Sequence, residues 1–549
     1  MRARREFVGW ALAALLAWMV VYPLAIVGVG GVQDESGLTT RWIRAFLDRP
    51  NEWSALWGSL WISLASVALA ALIGVPLAFL FTRVEFPGRR FLGAVVALPA
   101  VLPPLVGAVA FLFLFGETGF LAHVAQWATR SDAPPWRFQG APAILLIHAY
   151  TMYVYFYLFV RAGLAQLDGS MLEAAASLGA GRRRTLLRVV LPLLRPALLG
   201  AALLVFLSSL ASFSAPYIFG GSFRVMSTQI VRTRLNGDDR LAMVETAVLA
   251  VVALAALWWA RRLEGRAATG GAKGAAPRRA SVTRPGARAA ITGLAWLVAG
   301  LSLLPHATLL LVSFVPRGTW TTQALPPEYT LQNYVSLVTD PTRLRPLLTS
   351  GWMAAVATLA AVAIGLVFGL AVVRWRVRGA TLLQWLVALP WAVPGTVFAV
   401  ALATAFSVNR PWALRFLLVG TPIILPLAYL IRNLPIAGRA ILAGYQSLDP
   451  SYEQAAASLG AGAWRRLRRV VLPLLRPAIV AGGTLAFVAA LGDFMTSVLL
   501  YTYDTRPISL EIMGSLWQSD VGVSAAYGMV LMVVSAAVFL LTAEREEPR

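Results

Sequence analysis

Apolar runs of about 20 residues recur along this chain, and a run of that length is what a helix needs to cross a hydrocarbon core roughly 30 Å thick. They lie near 8–30, 56–81, 91–115, 142–160, 192–216 and 241–260, then near 290–314, 347–373, 380–407, 414–431, 473–500 and 523–542. Of the 549 residues, 58% are hydrophobic and only 13% charged, where a soluble domain carries about a quarter charged. The fold class that follows is an all-α polytopic membrane protein of about twelve transmembrane helices in two parallel six-helix repeats.

The formal charge of +22 rests almost wholly on arginine, Lys273 being the only lysine. Arginines crowd the loops at 82–90, 161–190, 261–289, 374–379 and 432–472. The loops at 31–55, 116–141, 217–240, 315–346 and 501–522 mix acids with arginine. The positive-inside rule places the Arg-rich set, and with an even span count both termini, in the cytoplasm. Topology thus accounts for the charge, and no nucleic-acid partner is implied. The start, MRARREF, resembles the basic flank of a signal peptide. The long run behind it, with Trp10 and Trp18 and no small-x-small cleavage site, reads instead as the first span. Cysteine is absent, which excludes disulfides and thiolate metal sites. His123, His148 and His306 are far apart and lack ligand spacing, so they read as structural or interfacial residues. No resident metal site and no catalytic group is expected.

The two halves repeat each other. VVLPLLRPA at 189–197 recurs unchanged at 470–478, inside a longer match of 168–197 with 449–478. IGVPLAFLFTR (73–83) pairs with IGLVFGLAVVR (364–374), and LPAVLPP (98–104) with LPWAVPG (389–395). The domains are therefore a first half, 1–260, a basic Gly/Ala/Pro-rich linker, 261–289, and a second half, 290–549.

The repeated loop has a helical grammar. Ser170-x-x-Glu173 forms a capping box, and Ser451-x-x-Gln454 is its counterpart. Ala-rich turns follow, and Gly179 and Gly460 stand where a left-handed C-cap is wanted. Short helices at about 170–180 and 451–461 are expected, each followed by a basic helix from about 182 or 463, with Pro192 and Pro473 marking the return to the membrane. A lone loop of this kind reads as an interfacial helix with topology charge; two matched copies point to a partner met twice.

This loop resembles the signature of ABC importer permeases: Glu-Ala-Ala, three residues, Gly, nine residues, an aliphatic, one residue, Leu-Pro. Glu173, Ala174, Ala175, Gly179, Val189, Leu191 and Pro192 meet it, as do Ala455, Ala456, Gly460, Val470, Leu472 and Pro473. Gln454 replaces the Glu, with Glu453 one residue earlier. The resemblance implies a type I importer (MetI-like) fold in a bacterial inner membrane, with the short helix acting as a coupling helix. It implies two copies of a cytoplasmic ATPase subunit that bind ATP and Mg, and a periplasmic substrate-binding protein. Glu173, Ala174, Ala175, Gly179, Glu453, Gln454, Ala455, Ala456 and Gly460 become the residues expected to couple to the ATPase. The chain has no Gly-x-x-x-x-Gly-Lys-Ser/Thr phosphate loop, so it holds no cofactor of its own and is not an enzyme. Fused two-half permeases look like the ferric-iron and thiamine importers. ASFSAPYIFGG (211–221) and LGDFMTSVLLY (491–501) are nearer the ferric-iron branch, and permeases for 2-aminoethylphosphonate share much of the pattern. The rival of another class is a secondary transporter, which would not need two capped cytoplasmic knobs.

For the translocation pathway, Asp493 in the eleventh span is the chief candidate, aligned with Ser212 in the fifth. It fits either a pathway acid or a buried acid hydrogen-bonded near a helix end. Ser212, Ser214, Thr496 and Ser497 are candidates beside it, and each alternatively bonds its own helix backbone. Pro99, Pro103, Pro104, Pro390 and Pro394 break the third span of each half, and broken spans often line cavities.

Overall fold

Small residues decide how these helices meet. In Pro50–Arg83 the buried stripe runs through Ser59, Ser63, Ser66, Ala70, Gly74 and Ala78, and in Pro341–Gly369 through Ser350, Ala354, Ala357, Ala361, Gly365 and Gly369. Steps of three or four residues keep each stripe on one face. Without side-chain bulk the neighbouring backbone comes close enough for van der Waals packing, the main source of helix association in lipid. A Cβ at Gly74 would overlap the carbonyl of Tyr153, and one at Gly365 would press on Ile441 and Gly438.

The structure is a computed structural model and describes residues 2–34, 37–131, 133–264, 280–281, 284–320, 323 and 325–543. Among them ten helices are long and apolar enough to cross a membrane, and an eleventh span forms if Ala380–Ala392 and Gly395–Ala405, bent by 108° at their break, are taken together. The remaining place in the order is filled by Ile424–Ser447, which carries Arg432 and Arg439. The expected span at 414–431 is therefore corrected. Turns occupy residues 414–423, where Leu414, Arg415 and Gly420 have positive φ, and the helix starts only at Ile424. The third span breaks into Arg89–Val95, a single turn at Leu98–Ala100 and Pro104–Phe115. Its counterpart breaks at Val393–Pro394, while Pro390 stays inside a helix. The fifth and eleventh spans end at Leu210 and Leu491, short of the expected 216 and 500, and short helices Ser214–Phe219 and Ser497–Leu500 follow. Most of the expected linker, 265–279 and 282–283, lies outside the described residues.

The chain packs as two units, and they are not the two sequence halves. One comprises Met1–Asp48, Ile230–Ala250 and Leu331–Arg549; the other comprises Arg49–Gln229 and Val251–Thr330. In the former the first span belongs with the second repeat: the Trp18 indole N–H donates to Trp412 O at 3.2 Å, and Trp18 stands edge-on to Phe406. In the latter, Pro285–Val312 belongs with the first repeat. Ala295 and Ala299 enter its core, and Tyr150 donates to Ser302 O at 2.6 Å.

Candidate functional site

The repeated loop folds twice into the same object. Gly169–Ser177 and Ser451–Ser458 are helices with no buried residue. The expected capping box is corrected in both copies: an aspartate two residues before the serine takes its amide, as the N-cap Asp168 in the first and from one residue ahead of the N-cap Pro450 in the second. Asp168 Oδ1 accepts the Ser170 amide at 2.9 Å, and Asp449 Oδ1 accepts the Ser451 amide at 2.8 Å. Aspartate is as good an N-cap as serine, and its charge suits the positive helix end. The Ser451 backbone N–H, reinforced by its hydroxyl, holds the Asp449 carboxyl below the usual carboxylate range.

Both helices end as expected. Gly179 has φ +73° and Gly460 φ +79°. The Gly179 amide donates to Ala176 O and the Ala180 amide to Ala175 O, each at 2.9 Å. The Gly460 amide reaches Ala457 O at 2.9 Å and the Ala461 amide Ala456 O at 3.0 Å. This pair of bonds is the Schellman closure, which needs a left-handed residue. With both ends tied, each helix projects an apolar tip: Leu178 is 87% exposed and Leu459 88%. Glu173, Ala174, Gln454 and Ala455 are exposed beside them, while Ala175 and Ala456 are half-buried. Glu453 is turned inward, its carboxylate 2.6 Å from Arg374 Nε, and Arg374 Nη2 also donates to Leu448 O at 3.1 Å.

The basic segment does not stop where the membrane helix begins. Arg182–Leu210 and Ala463–Leu491 each run 29 residues as one candidate span. Each opens into a π-turn, Leu186–Val190 and Leu467–Val471, just before Pro192 and Pro473. The Leu191 amide reaches back to Leu186 O and Leu472 to Leu467 O. The wider turn makes room for a proline that lacks an N–H and would crowd the carbonyl four residues earlier.

The far end of each long helix breaks at a polar centre. In the first repeat Ser212 Oγ lies 2.9 Å from His148 Nε2, while His148 Nδ1 meets Ser66 Oγ at 2.9 Å and Ser209 Oγ at 3.2 Å. In the second repeat Asp493 Oδ1 accepts the Thr496 amide at 2.8 Å and the Ser497 amide at 3.3 Å, and Oδ2 accepts the Thr496 hydroxyl at 3.1 Å. Arg432 Nη1 stands 3.5 Å from Asp493 Oδ2, and Tyr429 meets Ser497 Oγ at 2.7 Å. Asp493 is thus an acid at a helix end that caps Ser497–Leu500. Matching bonds frame both centres: Ser227 donates to Ser212 O at 2.6 Å and Ser509 to Asp493 O at 2.8 Å. The amides of Met226 and Ile508 donate to Ser59 and Ser350, each at 2.7 Å. Ser214 is buried at the start of its short helix and takes no part in the His148 cluster. Arg432 was missed by sequence reasoning, because the positive-inside pattern assigned 432–472 to a loop. The helix runs on to Ser447, and Arg432 lies in its first half.

A family model described as "Binding-protein-dependent transport system inner membrane component" matches residues 70–269 and again 353–543. The chain is 30% identical over 553 residues to the probable ABC transporter permease protein y4fN of Sinorhizobium fredii, across 98% of this chain and 96% of that one. It is 27% identical over 551 residues to the ferric transport system permease protein FbpB of Actinobacillus pleuropneumoniae, across 96% of this chain and 76% of the relative. It is 31% identical over 210 residues to the sulfate transport system permease protein CysT of Escherichia coli, across 37% of this chain and 76% of the relative. With the family's domain present twice and a helical, multi-span architecture around it, the chain belongs to the binding-protein-dependent inner membrane components, as a fused two-half permease of an ABC transporter: a transport subunit, not an enzyme.

Proposed function

We propose that this permease imports ferric iron across a bacterial inner membrane. In this reading a periplasmic binding protein delivers the iron, and two copies of a cytoplasmic ATPase bind ATP and Mg and supply the work. Both termini and both repeated loops then face the cytoplasm, a reading that the arginine distribution supports.

The observation that carries the mechanism is mechanical. One 29-residue helix, roughly 40 Å long at about 1.5 Å per residue, joins each exposed loop helix to its broken polar centre. A knob with both ends tied moves as a body, so an ATPase gripping Leu178 and Leu459 would tilt Arg182–Leu210 and Ala463–Leu491. The breaks at Ala211–Phe213 and Gly492–Thr496, where no continuous helix holds the chain, are where that tilt would become a change in access. ATP binding would favour the outward-open state, and hydrolysis with release would restore the inward one. Glu173, Ala174, Ala175, Gln454, Ala455 and Ala456 form the docking surface in this scheme, the two glycines fix its shape, and Glu453 anchors the second copy.

Iron as cargo is supported by the ferric transport relatives that align with nearly the whole chain. Thiamine and 2-aminoethylphosphonate are the alternatives carried by the sequence pattern, and sulfate and molybdate those carried by half-length relatives. Uptake of labelled ferric iron, thiamine, sulfate and molybdate in parent and deletion strains tests the assignment. Selective loss of iron uptake, restored by the wild-type chain, is expected; loss of a different solute with iron uptake unchanged overturns the cargo and keeps the permease.

A further inference from the structure

Three features of the second repeat's broken span converge on one point. Gly395–Ala405 is an eleven-residue helix that begins at the 108° bend, and the first amide of it to find a backbone acceptor is Val397, on Pro394 O at 3.0 Å. The amides of Gly395 and Thr396 stand ahead of it, at the positive end of the helix. Thr396 is fully buried, and its hydroxyl has no hydrogen-bond partner. The Arg432 guanidinium is packed against Gly395 so closely that a Cβ there would overlap Nη1.

The formal charges of Arg432 and Asp493 cancel at this point, but hydrogen-bond donors are in excess. Asp493 is the nearby acid, but its oxygens already accept the Thr496 and Ser497 amides and the Thr496 hydroxyl, and its ion pair with Arg432 is long at 3.5 Å. Arg432 spends Nη1 on Asp493, Thr496 Oγ1 and Met495 Sδ. Its side chain is 30% exposed, so the guanidinium keeps donors open beyond the Nη1 contacts. Unfilled donors at a helix N-terminus inside a membrane domain are costly unless an acceptor, best an anion, comes to them. Helix N-termini at broken spans are where transporters meet anionic groups.

We propose that Arg432, the Thr396 hydroxyl and the first-turn amides of Gly395–Ala405 form a binding site for an oxyanion group, a carboxylate, sulfate or phosphate, carried by the solute that crosses the membrane. The proposal rests on the permease reading but not on iron: a ferric cargo would pass with its coordinating anion. The first repeat has no such site, since Pro104 and Thr151 align with Gly395 and Arg432.

The test is equilibrium binding of radiolabelled sulfate to the full chain in phosphatidylcholine nanodiscs. Saturable binding, displaced by inorganic phosphate and not by chloride, is expected. R432Q weakens it by at least about tenfold, the loss of one charge-assisted hydrogen bond, and R432K by less. T396V removes only an unpartnered hydroxyl and folds whatever Arg432 does; it weakens binding by about threefold. No saturable binding to the wild-type chain, or wild-type binding in T396V, overturns the proposal. So does displacement by added phosphatidylglycerol, which assigns the site to a lipid headgroup. Iron uptake is measured separately, so a failed cargo assignment leaves the sulfate result standing, and the reverse.

Discussion

The two loop helices have the same cap, the same Schellman closure and the same exposed leucine, yet they are anchored to their units by opposite means. In the first copy Leu172 packs on an apolar cluster that includes Phe81, Leu164 and Val190. In the second copy the aligned residue is Glu453, and it is held by the ion pair to Arg374. Arg83, which aligns with Arg374, keeps its Nη1 buried and without a hydrogen-bond partner. Shape is repeated where a partner would grip, and attachment is free to diverge where the protein meets only itself. The polar centres teach the same lesson: backbone bonds around Ser212 and Asp493 match, while the side chains at their middle are a His–Ser cluster in one and an Arg–Asp pair in the other.

The largest effect should come from breaking what the copies share. Gly179→Val with Gly460→Val forces β-branched side chains into left-handed backbone, each costing about 1–2 kcal/mol locally and opening the Schellman closure. Neither site has atoms within 4 Å of a new Cβ, so the change acts on the turn and not through a clash. Co-purification of the ATPase and transport should both fall by more than about tenfold in the double variant. If both persist, the knobs are not the coupling surface, and the shared shape needs another explanation.

The next test sharpens the difference between the polar centres. Asp493→Ala leaves the start of Ser497–Leu500 uncapped and Arg432 without its counter-ion, whereas Ser212→Ala removes one of three serine partners of His148. Transport should drop about tenfold or more in the first and about twofold in the second, in line with the strength of charged against neutral hydrogen bonds. Equal losses would mean that the centres work as a symmetric pair despite their chemistry.

Local chemistry was legible in the sequence; the pairing of distant segments was not. Gly179 and Gly460 announce their backbone because only one residue type suits it, and the prolines at 103–104 and 394 mark true breaks. The cap was misread because Ser170-x-x-Glu173 and Ser451-x-x-Gln454 fit a motif that Asp168 and Asp449 pre-empt from two residues upstream. Arg432 was hidden by a rule that counts arginines into loops, and its support comes from Asp493, far along the chain. The exchange of first spans between the repeats rests on packing such as Trp18 with Phe406 and Ala299 in one apolar cluster with Tyr153, which no periodicity within either helix records.

A smaller effect separates the two anchors. Glu453→Ala should destabilise the second loop helix by about 1–3 kcal/mol, and Leu172→Ala the first by a similar amount. Their salt responses should differ modestly, because salt screens a largely buried ion pair a little and apolar burial not at all. Amide exchange across 451–458 should quicken as salt rises, exchange across 169–177 should not, and Glu453→Ala should abolish the dependence in the second copy. Salt-sensitive exchange in both copies would break the distinction between anchors.

The smallest effect is a pH dependence at the tip of the second helix. The folded state holds the Asp449 carboxyl below its ordinary value of 3.8, chiefly through the Ser451 amide. Folding therefore favours the ionised form, and its contribution is complete above that ordinary value and fades as pH falls through the lowered one. Exchange of the Ser451 amide, corrected for the intrinsic effect of pH, should accelerate only in that acidic window. Asp449→Asn, which still offers an oxygen to the amide, should flatten the response while keeping the helix. A response that survives in Asp449→Asn would show that the Asp449 carboxyl does not set the acid limit of the second knob.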